Sequence, residues 1–514
     1  MRLRILTVLT ILFTILWSTS CRKDFEYAPS NGHLSFSKDT VYLDTVFSNI
    51  GSSTYTLKVY NDTKDDIIIP AITLKNGVES FYRLNVDGVA GKEFKNIPLY
   101  AEDSLFILVE TTIDINDDTL NELLYTDAIQ FDSEPFQQSV ELVTLAKDAI
   151  LLYPNKNTNN NAEAIVLYND ELGNPIELEG FILPDEHLNF TKDKSYVIYG
   201  YAIVPDGNEL IIDAGTRVHF HQNSGIVVQN GATITINGEI SENEGLLEGE
   251  VIFEGDRLET EFNNIPGQWG TIWISVGSKN NSINHLTIKN AELGLFVEGQ
   301  ENEPEETLTI TNSQILNSST HNLWTKNAHV NAANIILGSA GSSSLLIENG
   351  GNYSFTHATI ANYWNKGFRF NTALAISNTS ITNSNNGFDL LAADFKNCII
   401  DGNSANEISL QSNSQNSFNF SFQNCYIKYN ENQSSTENNI LYDFEDEAHY
   451  PNVILNGELD YFQPFENDFK IGLNSEVINK GDLNIANSTP LDIIETARIP
   501  NPDLGAYQAK EKNL

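Results

Sequence analysis

Positive charge is what this chain has least of: 29 lysines and arginines stand against 69 aspartates and glutamates in 514 residues, a formal charge of −40. Phosphate would repel such a protein rather than release counterions to it, which excludes a nucleic-acid partner and an anionic bilayer surface. Charged residues make up only 19% of the chain, and the polar remainder is Asn, Ser and Thr, so the composition is not that of a solvated disordered chain. The motifs that announce common chemistries are missing as well. There is no Gly-rich phosphate loop, no His-Glu-x-x-His helix and no Gly-x-Ser-x-Gly elbow, and so no cofactor has a foothold.

What is present begins with a leader. Arg2 and Arg4 precede an apolar run over 5–17 that is too short to span a bilayer, and Ser18-Thr19-Ser20 lead into Cys21; residues 1–20 are expected to be a signal peptide. Small residues directly before a lone cysteine resemble a bacterial lipoprotein signal. That resemblance implies acylation of Cys21, a tether over 21–31, and a membrane partner reached through the lipid. Lys23-Asp24 and Glu26 resemble the charged tags of surface lipoproteins, which implies the outer membrane of a Gram-negative cell, facing outward.

Residues 32–148 carry period-two patterns: Tyr55, Leu57 and Val59; Leu105, Ile107 and Val109; Val140, Leu142 and Thr144. With breakers at Asn61-Asp62, Lys75-Asn76-Gly77 and Asp87-Gly88, the pattern predicts antiparallel strands in a β-sandwich. The runs Phe47-Ser48-Asn49-Ile50-Gly51, Phe81 to Val86 and Asp103 to Phe106 resemble immunoglobulin-like modules of the hydin type, which implies a spacer. Residues 149–194 read as a connector or an extra strand pair.

From about 195 the chain repeats itself. Aligning Ile288, Ile315, Ile336, Ile360, Ile381, Ile400 and Ile427 gives spacings of 27, 21, 24, 21, 19 and 27, the period of a strand-built solenoid. Asn312, Asn378, Asn397 and Asn424, with His285 and His357, form a column whose side chains can stack at the ~4.8 Å strand spacing. Three short strands per coil with such a ladder predict a right-handed parallel β-helix, so the fold class is all-β: a sandwich, then a single-stranded solenoid over 195–514. Tyr196 to Gly200, Gly215 to Phe220, Pro266 to Trp273 and Ile288 to Ala291 resemble the first coils of bacterial surface proteins in the pectin-lyase-like superfamily. Pro502 to Tyr507 resembles their C-terminal cap.

Alternation then assigns Leu295, Leu323, Leu345, Phe368, Phe388 and Ile408 to the interior and Phe296, Trp324, Leu346, Arg369, Asp389 and Ser409 to the outer face. On that stripe Trp324 and Phe296 offer apolar faces for a sugar, Arg369 could hold a carboxylate or sulfate, and Asp389 would orient it. Tyr363, Trp364 and Lys366 precede Arg369 in a turn that would overhang the same face. The expected partner is a polysaccharide or another surface protein, bound without turnover. The alternative is a polysaccharide lyase or glycoside hydrolase on the same face, which needs converging carboxylates beside Arg369 or Lys366. His219 and His221 share i, i+2 spacing but no third metal ligand follows them. Cys398 and Cys425 occupy one column of neighbouring coils and are expected as stacked, buried thiols; the alternative is a disulfide in an oxidising compartment, for which in-register parallel Cβ directions make the torsion awkward.

Overall fold

A computed structural model of the chain describes residues 27–115, 120–156, 162–169, 175–243, 245–301, 303–380, 386–430 and 439–512. The leader, Cys21 and Ile381 lie outside them. The chain divides into two compact units, Met1–Asp148 and Ala149–Leu514. Among the described residues no helix is long and apolar enough to cross a membrane.

In the first unit two sheets close over one core. One holds Thr40–Phe47, Ile67–Leu74, Glu93–Leu99, Glu122–Phe131 and Gln138–Lys147; the other holds Tyr55–Tyr60, Tyr82–Val86 and Ser104–Thr111. The alternation read from sequence decides which side chains face inward. Leu57, Val59, Ile107, Val109, Val140 and Leu142 are sealed from solvent, while neighbours such as Thr56, Phe106, Leu108 and Glu141 point out. Asp87 and Gly88 both take positive φ between Val86 and its partner Val89, the two-residue turn that matches strand twist. Pairing is not wholly antiparallel, because Gln138–Lys147 lies parallel to Thr40–Phe47.

The second unit is a parallel solenoid with three strands per coil: along most of it a strand pairs with the third one after it, and where Leu308–Ser318, Leu323–Ala340 and Leu345–Thr356 each run through a corner, partners are one or two strands apart. The first face runs through Ser195–Ile198, Arg217–Phe220, Val251–Gly255 and Leu286–Lys289 toward Thr359–Asn362 and Ile399–Gly402. The second runs through Tyr201–Val204, Gly225–Val228, Ile272–Ile274 and Leu295–Glu298 toward Leu374–Ser377 and Ile408–Gln411. The third runs through Glu209–Asp213, Thr233–Asn237 and Asn281–Asn284 toward Leu390–Lys396 and Ser421–Gln423. Inward side chains stack coil on coil. Val218, Phe253, Ile288, Ile315, Leu337, Ile360, Ile400 and Ile427 form one in-register column, each fully buried and each stabilising by roughly 1.5–3 kcal/mol. On the third face Phe355, Phe395 and Phe422 stack with ring centroids 5.0 and 4.9 Å apart.

The corner that leads into the first face explains the polar ladder. His285, Asn312, Asn334, His357, Asn397 and Asn424 all adopt left-handed φ between 45° and 54°, a conformation that short polar side chains tolerate because they bond locally. Asn334 Nδ2 donates to Asn312 Oδ1 at 3.0 Å, and Asn312 Nδ2 to Asn284 Oδ1 at 2.9 Å. Asn378 is not a rung. The chain from Ile360 to Ile400 is one long coil, because these two residues pair directly, and Asn378 ends a second-face strand instead. Leu337, not Ile336, occupies the interior column.

Both ends of the solenoid depart from a simple stack. Within 149–194, Ala149–Leu152 pairs with Ser195–Ile198, and Ala164–Asn169 forms an antiparallel hairpin with Pro175–Ile182. Residues 456–512 lie along the outside of the first face, where Phe469, Ile471, Leu504 and Tyr507 cluster with Ile336, Ala361, Ile399 and Tyr426. Pro502 to Tyr507, expected to cap the stack, therefore lines its flank: Gly505 N–H donates to Asn397 O at 2.8 Å. Gly505 sits at φ 83°, a backbone conformation that favours glycine, and a Cβ there would meet Ile399 Cδ1 at 2.6 Å.

Candidate functional site

Outward positions of the second face are set by the same alternation that fills the core. Val227, Trp273, Phe296, Trp324, Leu346, Ala375 and Ser409 stand in one register column. Three of them make an aromatic rail: Trp273 and Phe296 have centroids 5.6 Å apart, and Phe296 and Trp324 5.0 Å apart. All three rings are partly exposed. Trp273 and Phe296, with Glu298 and Lys326, line an open groove of about 700 Å³, whose polar side carries Asp206, Gln229, Asn230 and Ser275, and Trp324 continues the rail beyond it.

Two residues further along each strand the outward column reads Glu298, Lys326, Glu348. These carboxylates hold the indoles in place. Trp273 Nε1 donates to Glu298 Oε2 at 2.8 Å, and Trp324 Nε1 to Glu348 Oε2 at 3.1 Å. Each indole is thus bonded by the glutamate of the following coil, which fixes ring orientation and satisfies the buried N–H. Burial pushes the Glu298 carboxyl up from its ordinary value, with the Trp273 N–H and Lys326 opposing. Lys326 Nζ lies 4.5 Å from the Trp324 ring centroid and 5.2 Å from that of Phe296, a cation–π arrangement that leaves Trp273 as the ring without an ammonium over it. Behind Trp324, His321 accepts the Ser343 N–H at Nδ1 at 3.2 Å, and burial lowers its pKa to about 4. It is a neutral support.

Phe296 and Trp324 are brought together as expected; the other sequence candidates are not on this rail. Phe368 is 91% exposed rather than inward, and Leu374 fills the interior position of that coil. The long loop at 363–373 delays the strand, so Ala375 takes the place expected of Arg369. Arg369 is buried at the base of the loop. Its Nη1 donates to Asn362 O at 2.8 Å, and its Nη2 donates to Ser404 Oγ and to Glu407 Oε1, the latter at 2.7 Å. Asp389 does not touch Arg369; it accepts the Ser417 N–H at 2.8 Å, which holds its carboxyl below the usual range. Trp364 is buried, Lys366 is exposed in the loop, and Tyr363 turns to the first-face flank, donating from Oη to Asp401 Oδ2 at 2.6 Å.

Sequence reasoning missed Trp273, Glu298 and Lys326. Trp273 was within reach, since Ile272 and Ile274 bracket it with the same inward–outward–inward pattern that revealed Phe296. The two other residues become informative only once the register is known. Among the described residues no group of three or more His, Cys, Asp or Glu could hold a metal ion. His221 pairs with Asp256 at 2.7 Å, and His219 stands 3.7 Å from Glu254. Cys398 and Cys425 are free and buried.

No protein-family model matches the chain, and no curated protein matches it. Solved structures align only remotely. A PapD-like domain of human CEP192 shares 10% identity at a TM-score of 0.16, covering 26% of this chain and 95% of that domain. A family 123 glycoside hydrolase from Clostridium perfringens shares 6% identity at a TM-score of 0.16, covering 23% of this chain and 30% of the enzyme. The catalytic domain of a family 87 α-1,3-glucanase, solved with tetrasaccharides, shares 10% identity at a TM-score of 0.21, covering 72% of this chain and 81% of that domain.

Proposed function

We propose that the second-face groove binds an extended neutral glycan without turnover, and that the protein presents this groove outside a bacterial cell. The observation that carries the reading is the rail of Trp273, Phe296 and Trp324, held by carboxylates and flanked by Asp206, Gln229 and Asn230. Rings offer flat apolar faces to sugar rings while the polar edge offers partners to hydroxyls. Charge selects the class of glycan. Asp206 and Glu298 oppose one ammonium, Lys326, on the groove lining, so an acidic polysaccharide meets net repulsion, and Arg369, the expected holder of a carboxylate or sulfate, is committed to Glu407. In this reading the solenoid is a right-handed β-helix, the first unit is an immunoglobulin-like spacer, and acylated Cys21 anchors the chain to the outer membrane.

Absence of turnover is supported by the engagement of the carboxylates that hold the rail. Glu348 is 2% exposed and both glutamates are bonded to indoles. A second reading, glycoside hydrolysis, is favoured by one observation: Glu298 and Glu348 stand two strands apart in register, roughly 9.5 Å between backbones, near the upper carboxyl separation of an inverting pair. A glycan array probed with residues 22–514, beside Trp273→Ala and Trp324→Ala, tests both. Binding of neutral glycans lost in both variants, with no new reducing ends on prolonged incubation, is the expected result. Preference for uronates or sulfated chains would refute the charge argument, and released reducing ends that vanish in Glu298→Gln would replace binding by hydrolysis.

A further inference from the structure

We propose that the flank of the first face carries a second binding site, a cavity that takes a single neutral sugar through its hydroxyls and owes nothing to the aromatic rail. Alternation builds it. Asp401 and Lys428 follow the inward Ile400 and Ile427, which pair directly, so both side chains turn outward one coil apart. The strip of chain that covers this face passes them at 456–464 and leaves a cavity of about 340 Å³ between itself and the coils. That volume stands at the low end of the ~300–1,000 Å³ found for small-molecule sites.

Two groups on the cavity wall are short of the partners that burial demands. Asp401 is 2% exposed, and its Oδ2 accepts the Tyr363 hydroxyl at 2.6 Å. Its Oδ1 has the Gly402 N–H beside it and the Lys428 ammonium 3.8 Å away, beyond hydrogen-bond reach. Lys428 itself donates to Gly402 O, which leaves it further protons. A gap of that length between opposite charges fits a bridging hydroxyl, which donates to the carboxylate and accepts from the ammonium. The second group is Tyr461, 8% exposed, whose hydroxyl has no hydrogen-bond partner among the described residues. Apolar surface completes the wall: Leu459 and Pro464 line it, and Tyr426, its hydroxyl committed to Gly457 O at 2.8 Å, contributes its ring. Charge narrows the ligand. Asp401, Glu458 and Asp460 outnumber Lys428 on the lining, so an acidic sugar is repelled, while an amine would meet the ammonium already in place. A neutral polyol with adjacent hydroxyls, the size of one sugar ring, satisfies both conditions.

The test removes the rail first, so that the two sites fail separately. Residues 22–514 carrying both Trp273→Ala and Trp324→Ala are titrated with glucose, galactose, mannose and xylose, and with glucuronate, by saturation-transfer NMR. At least one neutral sugar should bind with a single saturable Kd. Hydrogen exchange on the same protein should show the bound sugar protecting amides at 401–402 and 456–461. Adding Asp401→Asn keeps an acceptor for the Tyr363 hydroxyl but sets an amide N–H where the sugar would donate, and should weaken binding about tenfold or more, the worth of one hydrogen bond to a charged group. Lys428→Met should do the same. Failure of every neutral sugar to bind, tighter binding of glucuronate, protection confined to other segments, or unchanged affinity in both folded variants overturns the inference. The exchange map needs neither cavity variant, so a misfolded variant leaves the test intact, and each of these outcomes leaves the rail to be decided by the glycan array.

Discussion

Replacing Arg369 by methionine should damage the fold and leave the groove's affinity alone. The guanidinium is 6% exposed at the side chain and its partner Glu407 is wholly buried. Glu407 Oε1 accepts from Arg369 and from the Ser404 N–H at 2.7 Å, while Oε2 accepts the Ala373 N–H at 2.9 Å. Burial already pushes this carboxyl up, and Arg369 is the first influence opposing that. Without the cation two backbone N–H groups face a buried charge alone, a situation that costs about 3–5 kcal/mol. Adding Glu407→Gln removes the stranded charge and should restore much of the loss. The sign with pH follows: in the single variant the native state holds the Glu407 proton more tightly than the unfolded chain, so stability falls as pH rises from the ordinary carboxylate value through the folded one. Denaturant unfolding, with hydrogen exchange at the 363–373 amides to localise the effect, measures both quantities. A loss under about 1 kcal/mol, or a double variant no more stable than the single one, would refute the argument, and weakened glycan binding in a folded variant would return Arg369 to the groove.

Three further outcomes are expected. His321, with a folded pKa of about 4 against 6.5 unfolded, should cost about 3 kcal/mol as pH falls from 6.5 toward 4, because the unfolded state takes up the proton first; His321→Asn should flatten that part of the stability profile, and an unchanged slope contradicts the burial argument. His221 should titrate above 6.5 by NMR, since its bond to Asp256 raises it, so its contribution is complete below 6.5 and lost as pH climbs through the folded value; in Asp256→Asn the shift should reverse, burial being what remains. Cys398 and Cys425 should resist a thiol reagent until the coils open, as burial pushes the Cys425 thiol well up; labelling of the native protein within minutes would show the column to be accessible.

Strand-level features were legible wherever the pattern is local. Alternation named Leu295, Leu323, Leu345 and Ile408 as inward and Phe296 and Trp324 as outward because each depends only on its immediate neighbours. The polar column was legible for the same reason: a left-handed corner selects Asn or His one residue at a time. Counting coils was not, since it depends on loop length. Asn378-Thr379-Ser380-Ile381 imitates a corner, and the 40-residue coil from Ile360 to Ile400 was divided in two. Phe368 then looked interior. A solenoid allows this because strand pairing holds each face in register whatever the corner between them contains. Arg369 reads as a ligand-binding residue for as long as its partner, 38 positions away, is unknown.

The strip of chain over the first face sets an order of events for a ribosome. Ile336, Ala361, Ile399 and Tyr426 emerge before residues 456–512 exist to cover them, so the nascent solenoid carries a bare apolar flank through most of its synthesis. Coils can stack one at a time, but the flank closes only after Arg498 has reached Asn334, 164 residues behind it. A chain interrupted near 455 would have a complete interior and a sticky side, a candidate for chaperones and for aggregation rather than for unfolding.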